Sequence, residues 1–322
     1  MLSLFCFLSC LVVPSCSARP GIDFVVPAVA FSLTADYGIA ALHLTNHSSV
    51  TLAKIDGGVG YKAFMRREDA LPPDPWLCFL WRSCTRKPDT DAAETMINVL
   101  KASAMQYFGT SFCFVDIAMP DATQGNYQRE IFEAAVRTAG LRQPNPSQNA
   151  GLVAVLANDP TDVELPDGQI VLAIDYSRSS LNLDLVCDDA GVLDRRRHEY
   201  IPNIGADSPD PTHLDAVDVA IRRILLQPFP DCPSWERTGH KKINHIVLYG
   251  DAIDNEAFIQ AIKNVLGTGL VARARVREPV FGVALSLAEA SYRGQNSIDF
   301  KGEAAFGCRW RSGLYAQNAG EL

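Results

Sequence analysis

The chain has 322 residues, 48% of them apolar and 20% charged, with a formal net charge of -8. A chain of that length and hydropathy buries a sizeable core as one large domain or two lobes, which excludes a disordered protein. The acidic balance excludes a broad electrostatic footprint for nucleic acid or an anionic membrane surface, and the short basic run Arg195, Arg196, Arg197 reads as a solvated turn.

Residues 2–13 are apolar and uncharged, and Cys16-Ser17-Ala18 places small residues where a signal peptidase cleaves. Residues 1–18 therefore read as a signal peptide, with a buried first strand as the alternative. No Lys or Arg precedes the apolar run, which is shorter than the ~20 residues that span a bilayer. A cleaved leader implies the secretory pathway or the extracellular space with no integral membrane segment remaining, and otherwise the cytoplasm. Cys78, Cys84, Cys113, Cys187, Cys232 and Cys308 would remain, an even number that permits disulfides in an oxidising compartment. Their spacing contains no Cys-x-x-Cys pair of the kind that holds structural zinc. Asn46-His47-Ser48 is a glycosylation acceptor in an exported chain.

In chain order, residues 25–31 and 40–45 read as strands around a polar turn at Asp36, Tyr37 and Gly38. Residues 50–55 continue the strand pattern into the turn Asp56-Gly57-Gly58, and Gly58 to Ala63 reads as a further turn. A Pro- and Trp-rich stretch over 71–91 gathers Trp76, Phe79, Leu80 and Trp81 into a satellite cluster. Residues 92–108 have helical periodicity and stop at Gly109, residues 112–117 make a buried strand, and residues 129–139 make a helix that stops at Gly140. Polar breaks at 143–149 and 159–168 bracket a lobe boundary, giving a first lobe over 22–160 and a second over 165–322.

The second half repeats this plan. Residues 170–175 and 181–186 form a hairpin with Asp175 at its tip, residues 214–226 a helix, residues 246–249 a buried strand, and residues 255–266 a helix capped by Asp254. Alternating strands and helices predict an α/β layered fold. His43, His198, His213 and His245 form no ligand spacing and read as surface or satisfied core positions.

Transfer of a terminal phosphate needs positioned backbone N–H groups, magnesium, and carboxylates that hold the metal's waters. Asp36 and Asp175, each at a hairpin tip, are the candidates for the last role. The order of segments resembles the nucleotide-binding domain of the seventy-kilodalton heat-shock chaperones, in the actin-like ATPase superfamily. Asp36-Tyr37-Gly38 is similar to that family's first phosphate hairpin, and Asp175 heads a segment similar to the second. The stretch Tyr127-Gln128-Arg129 through Ala139-Gly140-Leu141 is similar to its Ser-Gln-Arg helix ending in Ala-Gly-Leu. Val247-Leu248-Tyr249-Gly250-Asp251 stands where the family's adenosine motif lies. The resemblance implies an incomplete two-lobed actin-like, ribonuclease H-like fold, in which Asp36, Gly38, Asp175, Ser177, Arg178 and Gly250 contact ATP or ADP and Asp36 and Asp175 hold magnesium through water.

The departures imply eroded chemistry. Ile39 and Ala40 replace two hydroxyl residues, Ser177, Arg178 and Ser179 replace glycines that let backbone approach phosphate, and Arg178 either pairs with phosphate or points to solvent. The family's catalytic Glu falls near Asn145-Pro146-Ser147, where there is no acid, and no family-like lysine follows Gly60. The chain is expected to lack the family's peptide-binding domain and to act as a pseudo-ATPase, a binding or scaffold module for a protein partner. Two alternatives stay open: an active ATPase or phosphotransferase of the same superfamily, and a secreted nicotinamide-dependent oxidoreductase using Gly58-Val59-Gly60.

Overall fold

The computed structural model describes residues 25–67, 86–158, 169–189, 192–226, 243–300 and 302–315. The expected leader, the Trp76 to Trp81 cluster and the break at 159–168 lie outside the described residues. The fold is α/β, with two mixed sheets that repeat one plan.

In the first sheet β1 (Ala28–Leu33), β2 (Tyr37–His43) and β3 (Ser49–Asp56) form an antiparallel meander, and β4 (Asp116–Met119) and the two-residue β5 (Gln148–Asn149) join parallel to β1 in the order β3-β2-β1-β4-β5. In the second, β6 (Gln169–Tyr176), β7 (Ser180–Asp189) and β8 (Val192–Pro202) form the meander and β9 (His245–Tyr249) pairs parallel with β6, in the order β8-β7-β6-β9.

Both central hairpins are buried on both faces, which is why their strands read as unbroken apolar runs. Alternate residues then serve different cores. Val29, Phe31, Leu33, Ala40 and Leu42 pack with α1 (Val59–Met65), α2 (Arg86–Phe108) and α3 (Tyr127–Thr138). Ile170, Leu172, Ile174, Leu181, Leu183 and Leu185 pack with α5 (His213–Ile224) and α6 (Glu256–Leu266). Between the sheets lies a third core, where Ala30, Ile39 and Ala41 meet Val171, Ala173 and Val247 through α4 (Ala150–Ala157) and α8 (Gly282–Gln295). The short helices α7 (Thr268–Val271) and α9 (Cys308–Arg311) complete the described chain.

The helix with the strongest sequence signal shows how local chemistry sets an element. The Asn126 side chain accepts from the Arg129 amide and starts α3, Ile131, Phe132, Ala135 and Val136 line its buried face, and Gly140 at φ +75° ends it. Full burial of Phe132 alone contributes about 2–3 kcal/mol.

Several expectations are corrected. Gly58 to Ala63 is not a turn: α1 begins at Val59, directly behind the β3 edge strand. Helix α4 fills residues expected to approach a lobe boundary, because its eight apolar and small residues are buried between the sheets on nearly every side and show no amphipathic period. The Arg195 to Arg197 run lies within β8, where Arg195 pairs with Asp121, Arg196 with Asp194, and Arg197 donates to the carbonyls of Ile224 and Leu226. Asn255, not Asp254, caps α6 by accepting from the Phe258 amide. The expected second lobe over 165–322 includes α8, which packs on β1, β2 and β4 of the first sheet, and Cys308, which is disulfide-bonded to Cys113 of the first lobe. Among the described residues no helix is long and apolar enough to cross a membrane.

Candidate functional site

The two hairpin tips meet between the sheets. In the first, the Thr34 hydroxyl accepts from the amides of Asp36 and Tyr37 and fixes the turn, which directs the Asp36 carboxylate across to the second hairpin. Asp36 Oδ2 accepts from the Ser179 amide at 3.1 Å and from the Ser179 hydroxyl at 2.7 Å, while Oδ1 accepts from the Arg66 guanidinium at 2.6 Å. The side chain is 2% exposed. Gly57 lets the chain after β3 close under this tip, since a Cβ there would stand 2.3 Å from the Tyr61 ring and 3.0 Å from the Asp36 carbonyl oxygen.

In the second hairpin three successive amides are consumed by protein acceptors. The Ser177 N–H bonds to the Ser180 carbonyl at 3.0 Å, the Arg178 N–H to Asp251 Oδ1 at 3.2 Å, and the Ser179 N–H to Asp36 Oδ2. These are the groups a phosphate cradle would use. The loop after β8 closes over the tip as well: the amides of Ala206 and Asp207 bond to the carbonyls of Ser177 and Arg178, and a Cβ on Gly205 would stand 2.5 Å from the Ser177 carbonyl oxygen.

Asp175 is buried, has no cationic partner among the described residues, and accepts from the Ser177 hydroxyl at 2.5 Å. Burial pushes its carboxyl up to about 7, the Ser177 bond opposes the rise, and the carboxylates of Asp251, Asp36 and Asp184 add to it. Around it stand tyrosines. Burial, reinforced by nearby carboxylates, drives the hydroxyls of Tyr37, Tyr200 and Tyr249 well above their ordinary range. Lys54 lies 4.0 Å above the Tyr37 ring and pairs with Asp251 at 3.0 Å, a contact between β3 of the first sheet and the turn after β9 of the second.

The structure thus brings together Asp36, Asp175, Ser177, Arg178 and Gly250, but gives them partners within the chain. Gly38 is a correction: it lies in β2 facing α2, where a Cβ would stand 2.7 Å from the Met96 sulfur, so its missing side chain serves packing and not a phosphate. Gly250, at φ +107°, serves the approach of β9 to the second tip, since a Cβ there would stand 2.3 Å from Asp175 Oδ1. Arg178 is 44% exposed and lies 3.4 Å from Asp207. Asn145, in the segment 145–147 where the resemblance would place a catalytic acid, is bonded through its amide groups to Asp116, whose buried carboxyl is raised. Asn46 is exposed in the β2–β3 turn, where its side chain accepts from Ser48. Among the described residues no group of three His, Cys, Asp or Glu side chains is arranged to hold a metal ion. The donors an ATP–magnesium complex requires are therefore committed elsewhere, and the tips as they stand do not fit one.

Sequence reasoning missed a second polar cluster at the lobe junction. Asp184 on β7 is fully buried, and its carboxylate faces His198 Nδ1 at 3.0 Å and the Arg195 guanidinium at 3.6 Å. Gly151 in α4 leaves the room it needs, because a Cβ there would stand 2.0 Å from Asp184 Oδ2. Arg195 also reaches Asp121, which follows β4 of the first sheet, at 3.3 Å, so one guanidinium joins carboxylates from both sheets' segments. The only sequence signal was the polar alternation of Asn182 and Asp184 in an otherwise apolar strand, which normally means a solvated face.

The nicotinamide alternative has a local strand-then-helix at Gly58, but β3 is an antiparallel edge strand, whereas the dinucleotide fingerprint belongs to a parallel βαβ unit. Comparison with protein-family models and with curated proteins gave no match for this chain.

Proposed function

We propose that this chain is a pseudo-ATPase: a heat-shock-chaperone-like nucleotide-binding-domain protein with two actin-like, ribonuclease H-like lobes, acting as a binding or scaffold module for a protein partner. The observation that carries the reading is the commitment of the Ser177, Arg178 and Ser179 amides to Ser180, Asp251 and Asp36. Phosphoryl transfer is catalysed by positioned donors and charge stabilisation, and donors already bonded inside the protein supply neither. The repeated antiparallel meander with a parallel fourth strand, and the facing acidic tips, support the superfamily part of the reading.

Two measurements test it. Calorimetric titration with ATP and with ADP, each with and without magnesium, is expected to give no saturable heat, and a phosphate-release assay no turnover. Magnesium-dependent ATP binding that Asp175→Asn abolishes would overturn the proposal in favour of an active ATPase.

A further inference from the structure

Beside the hairpin tips, and separate from them, a cleft of about 330 Å³ opens between the lobes. Its walls are Met65, Met119 and Pro120 on the apolar side and Asp121, Gln128 and His198 on the polar side, with Arg67 and Tyr200 also lining it. A pocket of this size, in which polar groups converge beside an apolar wall, has the dimensions of a small-molecule site.

The polar groups have a definite sense. His198 Nδ1 faces the acceptor-only carboxylate of Asp184 at 3.0 Å, so in the neutral ring Nδ1 carries the proton and Nε2 is an acceptor. Gln128 donates its Nε2 to the Arg67 carbonyl at 2.8 Å, which turns Oε1 into a second acceptor. Asp121 Oδ1 is taken by Thr123 and Arg195, whereas Oδ2 accepts from Asn126 Nδ2 at 3.1 Å and keeps further capacity on a side chain 25% exposed. His198 Nε2 lies 3.9 Å from Asp121 Oδ1, too far for a direct bond, and the remaining capacity of that carboxylate is on Oδ2. The cations lining or flanking the cleft are already paired: Arg67 makes a two-point bond to Asp89, and Arg195 serves Asp121 and Asp184. Three carboxylates against two guanidiniums leave an excess of negative charge around these acceptors.

The geometry points to this cleft as a binding site for a compact organic amine, its ammonium held by His198 Nε2, Asp121 and Gln128 and its apolar body lying against Met65 and Met119. Thioether side chains suit that wall because they adapt to the ligand's shape and make favourable contacts with rings. Tyr200 borders both places, but the groups that would hold the ammonium, His198, Asp121 and Gln128, are not among the tip residues, so the outcome of nucleotide titration does not decide it.

The test uses the full chain with methyl-labelled methionine and benzylamine, benzyl alcohol and benzoate as probes. Benzylamine is expected to shift the Met65 and Met119 methyl signals saturably while Met96 and Met105, which share the same core but do not line the cleft, stay in place. Benzoate is expected to leave all four unmoved, with benzyl alcohol weaker than the amine. Gln128→Glu adds a negative charge at a partly exposed position and is expected to tighten benzylamine several-fold. His198→Phe is expected to weaken it about tenfold. If that variant fails to fold for want of the Asp184 partner, Gln128→Glu still decides. Benzoate binding as tightly as benzylamine, no shift of Met65 and Met119, or an unchanged affinity in Gln128→Glu would overturn the inference.

Discussion

The Ser179 hydroxyl donates to the Asp36 carboxylate at 2.7 Å, joining the tips of two hairpins that are 143 residues apart in the chain. Each tip thereby satisfies the other, the acid with a neutral donor and the amide with an acceptor. A hydrogen bond to a charged acceptor in a dry contact is worth about 2 kcal/mol. Ser179→Ala removes the hydroxyl and keeps the amide, and is expected to lower unfolding free energy by about that amount in urea denaturation. A loss below about 0.5 kcal/mol would mean that water replaces the hydroxyl freely and that the tips are apart in solution.

The glycines after the strands separate two causes of cost. Gly140 and Gly250 both have positive φ, +75° and +107°, but a Cβ on Gly140 meets nothing within 4 Å, whereas one on Gly250 meets Asp175 Oδ1 at 2.3 Å and the Tyr176 carbonyl oxygen at 2.5 Å. Gly140→Ala is expected to cost about 1 kcal/mol from backbone strain alone. Gly250→Ala adds overpacking against backbone that cannot move aside, for a total of about 3–4 kcal/mol. Equal losses from the two, measured by the same denaturation, would show that the second tip yields to the added methyl.

These contacts also mark where the sequence was legible. The α3 helix was readable because its apolar spacing and its terminal Gly140 lie within one stretch, although its start at Tyr127, ahead of the expected 129, and its Asn126 cap were not read. The hairpins at Asp36 and Asp175 were readable for the same reason. The interlocking of their tips was not, since nothing local distinguishes a turn serine that meets solvent from Ser179, which meets Asp36. Nor was α8: its place on the first sheet follows from the core between the sheets, and its own residues 282–295 carry no sign of which sheet they cover. The Arg195 cluster failed by a known default. Three adjacent arginines normally mean a solvated face, and only the pairing of β8 with β7 puts Asp184 beside one of them.

Two ion pairs that join segments of the two sheets differ in burial, and their losses should differ accordingly. Lys54 is 30% exposed where it meets Asp251, so Lys54→Met is expected to cost under about 1 kcal/mol and to depend on salt. Arg195 is 15% exposed and serves Asp184, which is wholly buried. Arg195→Met leaves that carboxylate without its guanidinium, at a cost of about 3 kcal/mol that salt does not offset. Unfolding in 0.05 M and 0.5 M salt measures both. A loss at Arg195 as small and salt-sensitive as at Lys54 would mean that His198 and Asn182 satisfy Asp184 without it.

Asp175 gives the chain a pH dependence of definite sign. Its folded-state carboxyl lies at about 7 against an ordinary 3.8, because burial strips its water and the nearby carboxylates of Asp251, Asp36 and Asp184 add to the rise. Between those values the native state holds a proton that the unfolded chain has released, so stability falls as pH rises through the window. Below it both states are protonated and nothing is lost. Above pH 7 the loss is complete, on the order of 4 kcal/mol if the whole gap is expressed. Asp175→Asn keeps an acceptor for the Ser177 hydroxyl and removes the titration. The variant is expected to match the parent within about 1 kcal/mol at pH 4 and to exceed it by about 2 kcal/mol or more at pH 8, as read by urea unfolding across that range. A gain of stability on losing this acid fits a tip locked against protein. Were Asp175→Asn instead less stable by the same amount at every pH, the carboxylate would be working as a charged group with a partner, as one holding a metal's waters must, and the locked reading of the second tip would fall with it.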